Sequence, residues 1–350
     1  MSTLRDGLDV IAMLRELGRG PNTARPLSRA QARDLFEAML SGAVDDLTLG
    51  ALLIAYRVKG EEAVELAGML DAAQDTLKPL VLPASSAAPV SIPSYNGARR
   101  LPNLVPLLAL SLAKRGIPVL VHGDPADAYG RISSASVFAA LGITASATIA
   151  QARQALITGR ASDARWQGLP IAFLPTETLS PPLAKMLALR ERLGLRNSAH
   201  TIVKLLDPFA GPSLRLVNFT HPPYRDAMAE LLTRHVPPLA PGALLARGCE
   251  GEAVADPRRD VAIERFAGGA CALLVESLHS IDSEAVPLPD IDATSTAHWI
   301  EAVLAGEARM PPSLQRQIDA IESICDDASS QATESTSTPP PSLLPQESVP

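Results

Sequence analysis

The sequence predicts an α/β fold: a small N-terminal all-helical domain plus a larger α/β domain whose mainly parallel sheet is flanked by helices. Three observations carry this reading. Residues 1–82 hold amphipathic helical segments and no strand-like run. From about residue 83, short apolar runs alternate with helical stretches, the order expected of a parallel sheet covered on both faces. With 350 residues, 47% of them hydrophobic, the chain can bury one large core or two unequal ones.

The elements follow in order. Ser28 is placed to cap a helix from Arg29 to Leu40 that stops at Ser41-Gly42. Asp45 or Asp46 caps the next, in which Leu49, Leu52, Leu53 and Tyr56 keep the i, i+3, i+4, i+7 spacing. Arg57 and Lys59 lie in its last turn and Gly60 suits its C-terminal cap. Glu61-Glu62 opens a further helix through Leu66 to Leu70. Pro79 to Pro89 reads as a linker. Strand-like runs then fall at Val90-Ile92, Ile117-Val121, Ile171-Leu174, Leu214-Asn218, Ala243-Ala246 and Cys271-Val275. The segment of about 179–206 reads as two helices broken at Gly194 that join the N-terminal domain. The α/β domain is thus 83–178 and 207–325, with late helices at Thr294-Leu304 and Leu314-Ile324. Residues 326–350 are rich in Ser, Thr and Pro and are expected to be a disordered tail.

Composition narrows the function. The net charge is -7, yet residues 1–200 hold 21 Lys+Arg against 17 Asp+Glu, while residues 201–350 hold 10 against 21. A basic face on the first part is compatible with an acidic total, because steering follows local potential. Aromatic residues are only 3%, so base-stacking platforms are scarce and any nucleic-acid contact would rest on charge. Three scattered cysteines without metal-ligand spacing point to a reducing compartment and no structural zinc. The apolar run Leu104–Ala113 is short of the ~20 residues a membrane helix needs. The expectation is a cytoplasmic protein with no membrane partner, metal or cofactor.

The turn Ile92 to Arg100 leaves one of the expected strands and enters an apolar helix. A glycine-containing turn there, through Asn96 and Gly97, points backbone N–H groups at an anion. Arg99 and Arg100 add cations where the helix dipole is already positive, which favours a bound anion. The alternative is a solvated turn carrying an incidental basic pair. Lys114, Arg115 and Arg131 are read as further cations around this turn. Arg57 and Lys59 could extend the basic patch or simply partner a helix dipole. Cys249 has no adjacent histidine and is a poor nucleophile candidate.

Jointly and in order, Gly42-Ala43-Val44, Leu49 to Glu61, Gly116 to Gly123, Ser133 to Gly142 and Arg190 to Arg196 resemble the anthranilate phosphoribosyltransferase and nucleoside phosphorylase II superfamily, glycosyltransferase family 3. The resemblance spans roughly residues 10–325. It implies a Gly-Thr-Gly-Gly-Asp pyrophosphate turn, but Pro93-Ser94-Tyr95-Asn96-Gly97 stands there, with one glycine left and Tyr95 crowding the backbone. The family's Lys-His-Gly-Asn becomes Val121-His122-Gly123-Asp124. Its magnesium-holding Asp-Glu pair is replaced within Arg247-Gly248-Cys249-Glu250-Gly251-Glu252-Ala253-Val254. Ile92 to Arg99, Leu195 to Thr201 and Glu250 to Glu252 are similar to a divergent branch, the YbiB-type proteins. That resemblance implies a homodimer, formed through the helical domains, that binds DNA or RNA with little sequence preference.

The resemblance also places Arg190 over the old substrate cleft, with Arg196, His200 and Lys204 following; the alternative is helix-face charges paired with Glu191 and Asp207. His122, Gly123 and His200 are read as a possible vestigial cleft, with His122 either a general acid or base or, alternatively, a turn residue kept for packing. The leading expectation is a nucleic-acid phosphate binder with no catalytic residue assigned. The alternatives are a pentosyltransferase acting on a ribosyl phosphate, and a protein-interaction scaffold using the cleft and the acidic tail.

Overall fold

The structure, a computed structural model, describes residues 7–20, 23–83, 87–125, 129–160, 163–277 and 286–336. Four helices come first: α1 (Val10–Leu17), α2 (Arg29–Ser41), α3 (Asp46–Lys59) and α4 (Ala63–Gln74). Ser28 caps α2 in a reciprocal box with Gln31, and Gly42 ends that helix with φ 73°. Asp45 caps α3 by accepting from Thr48 N at 3.0 Å. Gly68 lets α4 close onto α2: a Cβ there would stand 2.2 Å from the Arg29 carbonyl oxygen.

The α/β part then runs β1 (Val90–Ser94), α5 (Val105–Ala113), β2 (Val119–Gly123), α6 (Ser134–Ala140), α7 (Ile149–Thr158) and β3 (Ile171–Pro175). Three helices follow, α8 (Thr176–Leu179), α9 (Pro181–Leu193) and α10 (Ala199–Ile202), before β4 (Leu214–Phe219), α11 (Pro222–Glu230) and β5 (Gly242–Arg247). A hairpin, β6 (Ile263–Ala267) and β7 (Ala270–Val275), precedes α12 (Ala293–Ala305) and α13 (Pro312–Thr336). The sheet order is β3-β2-β1-β4-β5-β6-β7. The first five strands are mutually parallel and the last two antiparallel.

Two apolar clusters line the two faces of the sheet. One joins α1–α4, α9 and α10 to Leu120, Leu174, Val217, Leu245 and Phe266. The other joins Ile92, Val121, Phe173, Leu216 and Leu244 to α5, α12 and α13. Every residue of α5 is buried, as befits a helix sandwiched between the sheet and α12 and α13. Among the described residues no helix is long and apolar enough to cross a membrane.

Three expectations change. Strand β6 was not anticipated, because Glu264 and Arg265 interrupt its apolar run. The last helix continues to Thr336, so residues 326–336 are helical instead of opening a disordered tail. No Pro or Gly interrupts the chain between Ser313 and Thr336, and helix propagation costs little once a packed turn exists. Residues 337–350 of that expected tail lie outside the described residues. Finally, α5 separates Lys114 and Arg115 from the Arg99–Arg100 turn. Its nine residues rise about 13 Å at 1.5 Å each, which carries its C-terminus back to the end of the sheet where the parallel strands begin.

Candidate functional site

The sheet grows in two directions from its centre, through β2 and β3 on one side of β1 and through β4 and β5 on the other. In an open parallel sheet the crevice forms at such a reversal, outside the C-terminal strand ends. The turn Tyr95–Arg100 leaves β1 at that place. Gly97 takes φ 63°, and a Cβ on it would meet the Arg131 Cβ at 2.9 Å. Alongside, a Cβ on Gly123 would stand 1.8 Å from the Ser94 carbonyl oxygen, so β1 and β2 can end together only with glycine there.

The amides of this turn are already bonded within the chain. Asn96 N and Gly97 N both donate to Glu252 Oε1 at 2.7 Å. Arg99 N donates to Glu250 Oε2 at 3.0 Å and Arg100 N to Glu250 Oε1 at 2.6 Å. Glu252 thus occupies the amides of Asn96 and Gly97, in the turn that the resemblance matches to the superfamily's pyrophosphate turn, and Glu250 occupies the two amides just beyond it. The loop that delivers them is held through the Gly251 carbonyl, which accepts from Asn96 Nδ2 at 2.7 Å, Asn218 Nδ2 at 2.6 Å and Lys204 Nζ at 3.2 Å. Glu250 has φ 51°, the only positive value at a non-glycine among the described residues. Such a conformation costs about 1 kcal/mol or more and persists only where its surroundings hold it. Burial brings the Lys204 ammonium down to about 8, against the opposing pull of Glu252.

On one side of the turn lies a cleft of about 430 Å³ whose lining includes Tyr95, Asn96, Asp124, Tyr129, Arg190 and His200. The Arg190 guanidinium stacks over the Tyr129 ring, 3.8 Å from its centroid. Asp124 accepts from Thr176 Oγ1 at 2.8 Å. Burial, with Arg196 and Arg190 nearby, pushes the His200 imidazole down to about 3. His122 is fully buried beneath the cleft, 2.7 Å from the Tyr95 hydroxyl through Nδ1, and desolvation holds it at about 3. Both histidines are neutral at physiological pH, so neither can deliver a proton there as an imidazolium. The Cys249 thiol is buried and pushed up to about 12, which removes it as a nucleophile.

The magnesium that the fold's relatives imply finds no fit. The positions of the expected Asp-Glu pair are Ala253 and Val254, both in the core beneath α13, where Gln317 bonds Ala255 N at 2.8 Å. Among the described residues no three His, Cys, Asp or Glu side chains are grouped to hold a metal ion.

The expected basic residues are divided by the structure. Arg99 and Arg100 are exposed on the turn. Arg131 is beside it, donating to the Gly97 carbonyl at 3.2 Å and standing 3.9 Å from Glu250. Arg190, Arg196 and Lys204 are partly buried around the cleft and the Glu250–Glu252 loop. Arg57 is exposed on α3, but Lys59 is a correction: its side chain is buried and pairs with Glu65 at 2.6 Å, because a buried acid at that helix junction needs a counter-charge. Lys114 bonds the Leu304 carbonyl at 2.9 Å and Arg115 pairs with Glu322 at 2.8 Å, so they belong to the packing of α12 and α13. Asn96 and Gly97 are buried and engaged by Glu252, so neither presents an open N–H to phosphate. Sequence reasoning missed Arg247, Arg258 and Arg259, whose positive charge was hidden inside an acidic second half. It also missed the reach of Glu250 and Glu252 to a turn far earlier in the chain, which no local pattern displays.

Parallel sheet, switch-point crevice and glycine turn together define a phosphoribosyltransferase-like fold. Residues 11–76 match the helical bundle domain of the glycosyl transferase family. The uncharacterized protein YbiB of Escherichia coli is 41% identical over 312 residues, covering 89% of this chain and 92% of that protein. An anthranilate phosphoribosyltransferase of Novosphingobium aromaticivorans is 30% identical over 217 residues, 61% of each chain. The solved anthranilate phosphoribosyltransferase of Thermus thermophilus shares the fold with a TM-score of 0.67 at 22% identity, covering 93% of this chain and 97% of that one. The chain belongs to the anthranilate phosphoribosyltransferase-like superfamily, as a divergent member grouped with YbiB.

Proposed function

We propose that this protein binds nucleic acid through its phosphates, with little regard to sequence, and does not transfer a phosphoribosyl group. The observation that carries the reading is the filled turn: Glu250 and Glu252 take the amides that a small phosphate donor would need, while the Arg99 and Arg100 side chains remain exposed on the rim. Guanidinium groups on a rim suit phosphates that pass along a surface, since each planar fork can donate two bonds to one phosphate. Arg131 and Arg190 would extend the track from the turn towards the cleft. Contacts of this kind fix the backbone and read no bases.

A second copy would double the track. Leu47, Ile54 and Val58 lie along one side of α3 and are 85%, 40% and 60% exposed, with Ile11 of neighbouring α1 at 48%. An apolar stripe of that kind on a helical domain is what a homodimer would cover.

The transferase reading has its own support, in the relatives named as anthranilate phosphoribosyltransferases and in the surviving cleft with Arg190 and His200. One pair of assays separates the two: oligonucleotide binding across a salt series, and turnover of phosphoribosyl pyrophosphate with magnesium. Salt-sensitive binding without turnover supports nucleic-acid binding. Turnover without oligonucleotide binding overturns it in favour of the transferase.

A further inference from the structure

A second cavity, of about 390 Å³, lies on the other side of the turn, outside the C-terminal ends of β4 and β5. Its wall includes Arg100, Arg247, Arg258, Arg259 and His221, which converge from four separate segments. Two carboxylates share it. Glu250 is committed to the Arg99 and Arg100 amides at 3.0 and 2.6 Å. Asp256 is only 2% exposed, and it holds Arg258 through Nε and Nη2 at 3.1 Å each and Arg259 through Nε at 3.1 Å. The buried acid therefore orients two guanidinium groups and leaves donors on their far edges for a ligand. Arg100 and Arg247 are exposed, and their guanidinium groups have no hydrogen-bond partner among the described residues. Four arginines against two committed carboxylates leave the cavity positive. The adjoining helix α11 opens with Pro222-Pro223, which lack N–H groups, so recognition here falls to the arginines.

We propose that this cavity is an oligophosphate-binding site, which borders the filled turn at Arg100 and Glu250 and is distinct from the cleft of Arg190. Its volume admits a compact ligand of mononucleotide size, and its four guanidinium forks suit several phosphoryl oxygens at once. Two sources carry that chemistry, a free oligophosphate such as a nucleoside triphosphate and the terminal phosphate of a nucleic-acid strand. The proposal stands independently of nucleic-acid binding at Arg99.

The test is calorimetric titration of the full chain with sodium tripolyphosphate, beside Arg247→Ala, Arg247→Glu and Arg190→Ala, each checked for fold by circular dichroism. Saturable binding is expected, weakened about tenfold or more by Arg247→Ala as one charge-assisted contact is lost, abolished by Arg247→Glu and unchanged by Arg190→Ala. Absence of saturable binding at millimolar tripolyphosphate, or equal binding by the wild type and Arg247→Ala, overturns the proposal. Comparing oligonucleotides with 5′-phosphate and 5′-hydroxyl ends then assigns the source: a tighter 5′-phosphate end that tripolyphosphate displaces identifies the strand terminus, and equal affinities identify the free oligophosphate. Tripolyphosphate binding without any oligonucleotide binding would sink the nucleic-acid reading alone.

Discussion

Replacing Glu252 with alanine removes the carboxylate at the centre of the filled turn. Glu252 is 1% exposed, and its Oε1 accepts from Asn96 N and Gly97 N at 2.7 Å each. Hydrogen bonds to a charged group contribute about 1.5–3 kcal/mol each, so the two together are worth roughly 3–6 kcal/mol. Removing the buried charge relieves its own desolvation cost, but it also takes from the Lys204 ammonium the negative charge that opposes its desolvation. The expected net loss is about 3 kcal/mol, read from urea unfolding followed by circular dichroism. Glu252→Gln keeps an oxygen acceptor of the same shape and should lose about half as much, because the bonds become neutral. A loss below about 1 kcal/mol for Glu252→Ala would refute the view that this carboxylate occupies the turn as its structural anion.

Other consequences follow from the same geometry. Arg99→Ala combined with Arg100→Ala should weaken oligonucleotide binding and lower the slope of log affinity against log salt by about 1.8, at ~0.9 per duplex phosphate contact; an unchanged slope would misplace the track. His122 is held at about 3 against an ordinary value of 6.5, so as pH falls the unfolded chain takes up a proton that the folded chain refuses. Stability is therefore lost on acidification, by about 2 kcal/mol between pH 7 and pH 5. His122→Asn should lack that component, and identical pH profiles for the two proteins would contradict it. Lys59→Ala should destabilise by about 3–5 kcal/mol by stranding buried Glu65, whereas Lys114→Ala should leave oligonucleotide affinity unchanged. The reverse pattern would show Lys59 to be a surface contact.

Local chemistry was legible in the sequence. Ser28, Asp45 and Gly60 mark helix ends because capping depends on neighbours within a turn. Five parallel strands were visible because each is mainly apolar and buried between two helical layers, where even the polar Ser91, His122, Arg215 and Asn218 are buried. Strand β6 was not, since Glu264 and Arg265 sit at half-buried positions near the sheet edge and break the apolar run. At the site, the Arg99–Arg100 turn and the loss of the Gly-Gly-Asp and Asp-Glu motifs could be read directly. The filling of that turn could not: Glu252 and Gly97 are joined by tertiary structure alone. Lys59, Lys114 and Arg115 show the same limit in reverse, because a charge looks alike in sequence whether it faces water or a partner on another helix.

The most direct measurement is fluorescence anisotropy of labelled mixed-sequence oligonucleotides, single- and double-stranded, titrated with the full chain over a salt series. A phosphate track predicts binding that weakens log-linearly with salt, with a slope equivalent to several contacts at ~0.9 each for duplex and near-equal affinities for unrelated sequences. No binding at low salt, or binding indifferent to salt, would contradict it and return the cleft of Arg190 and His200 to first place as the functional site.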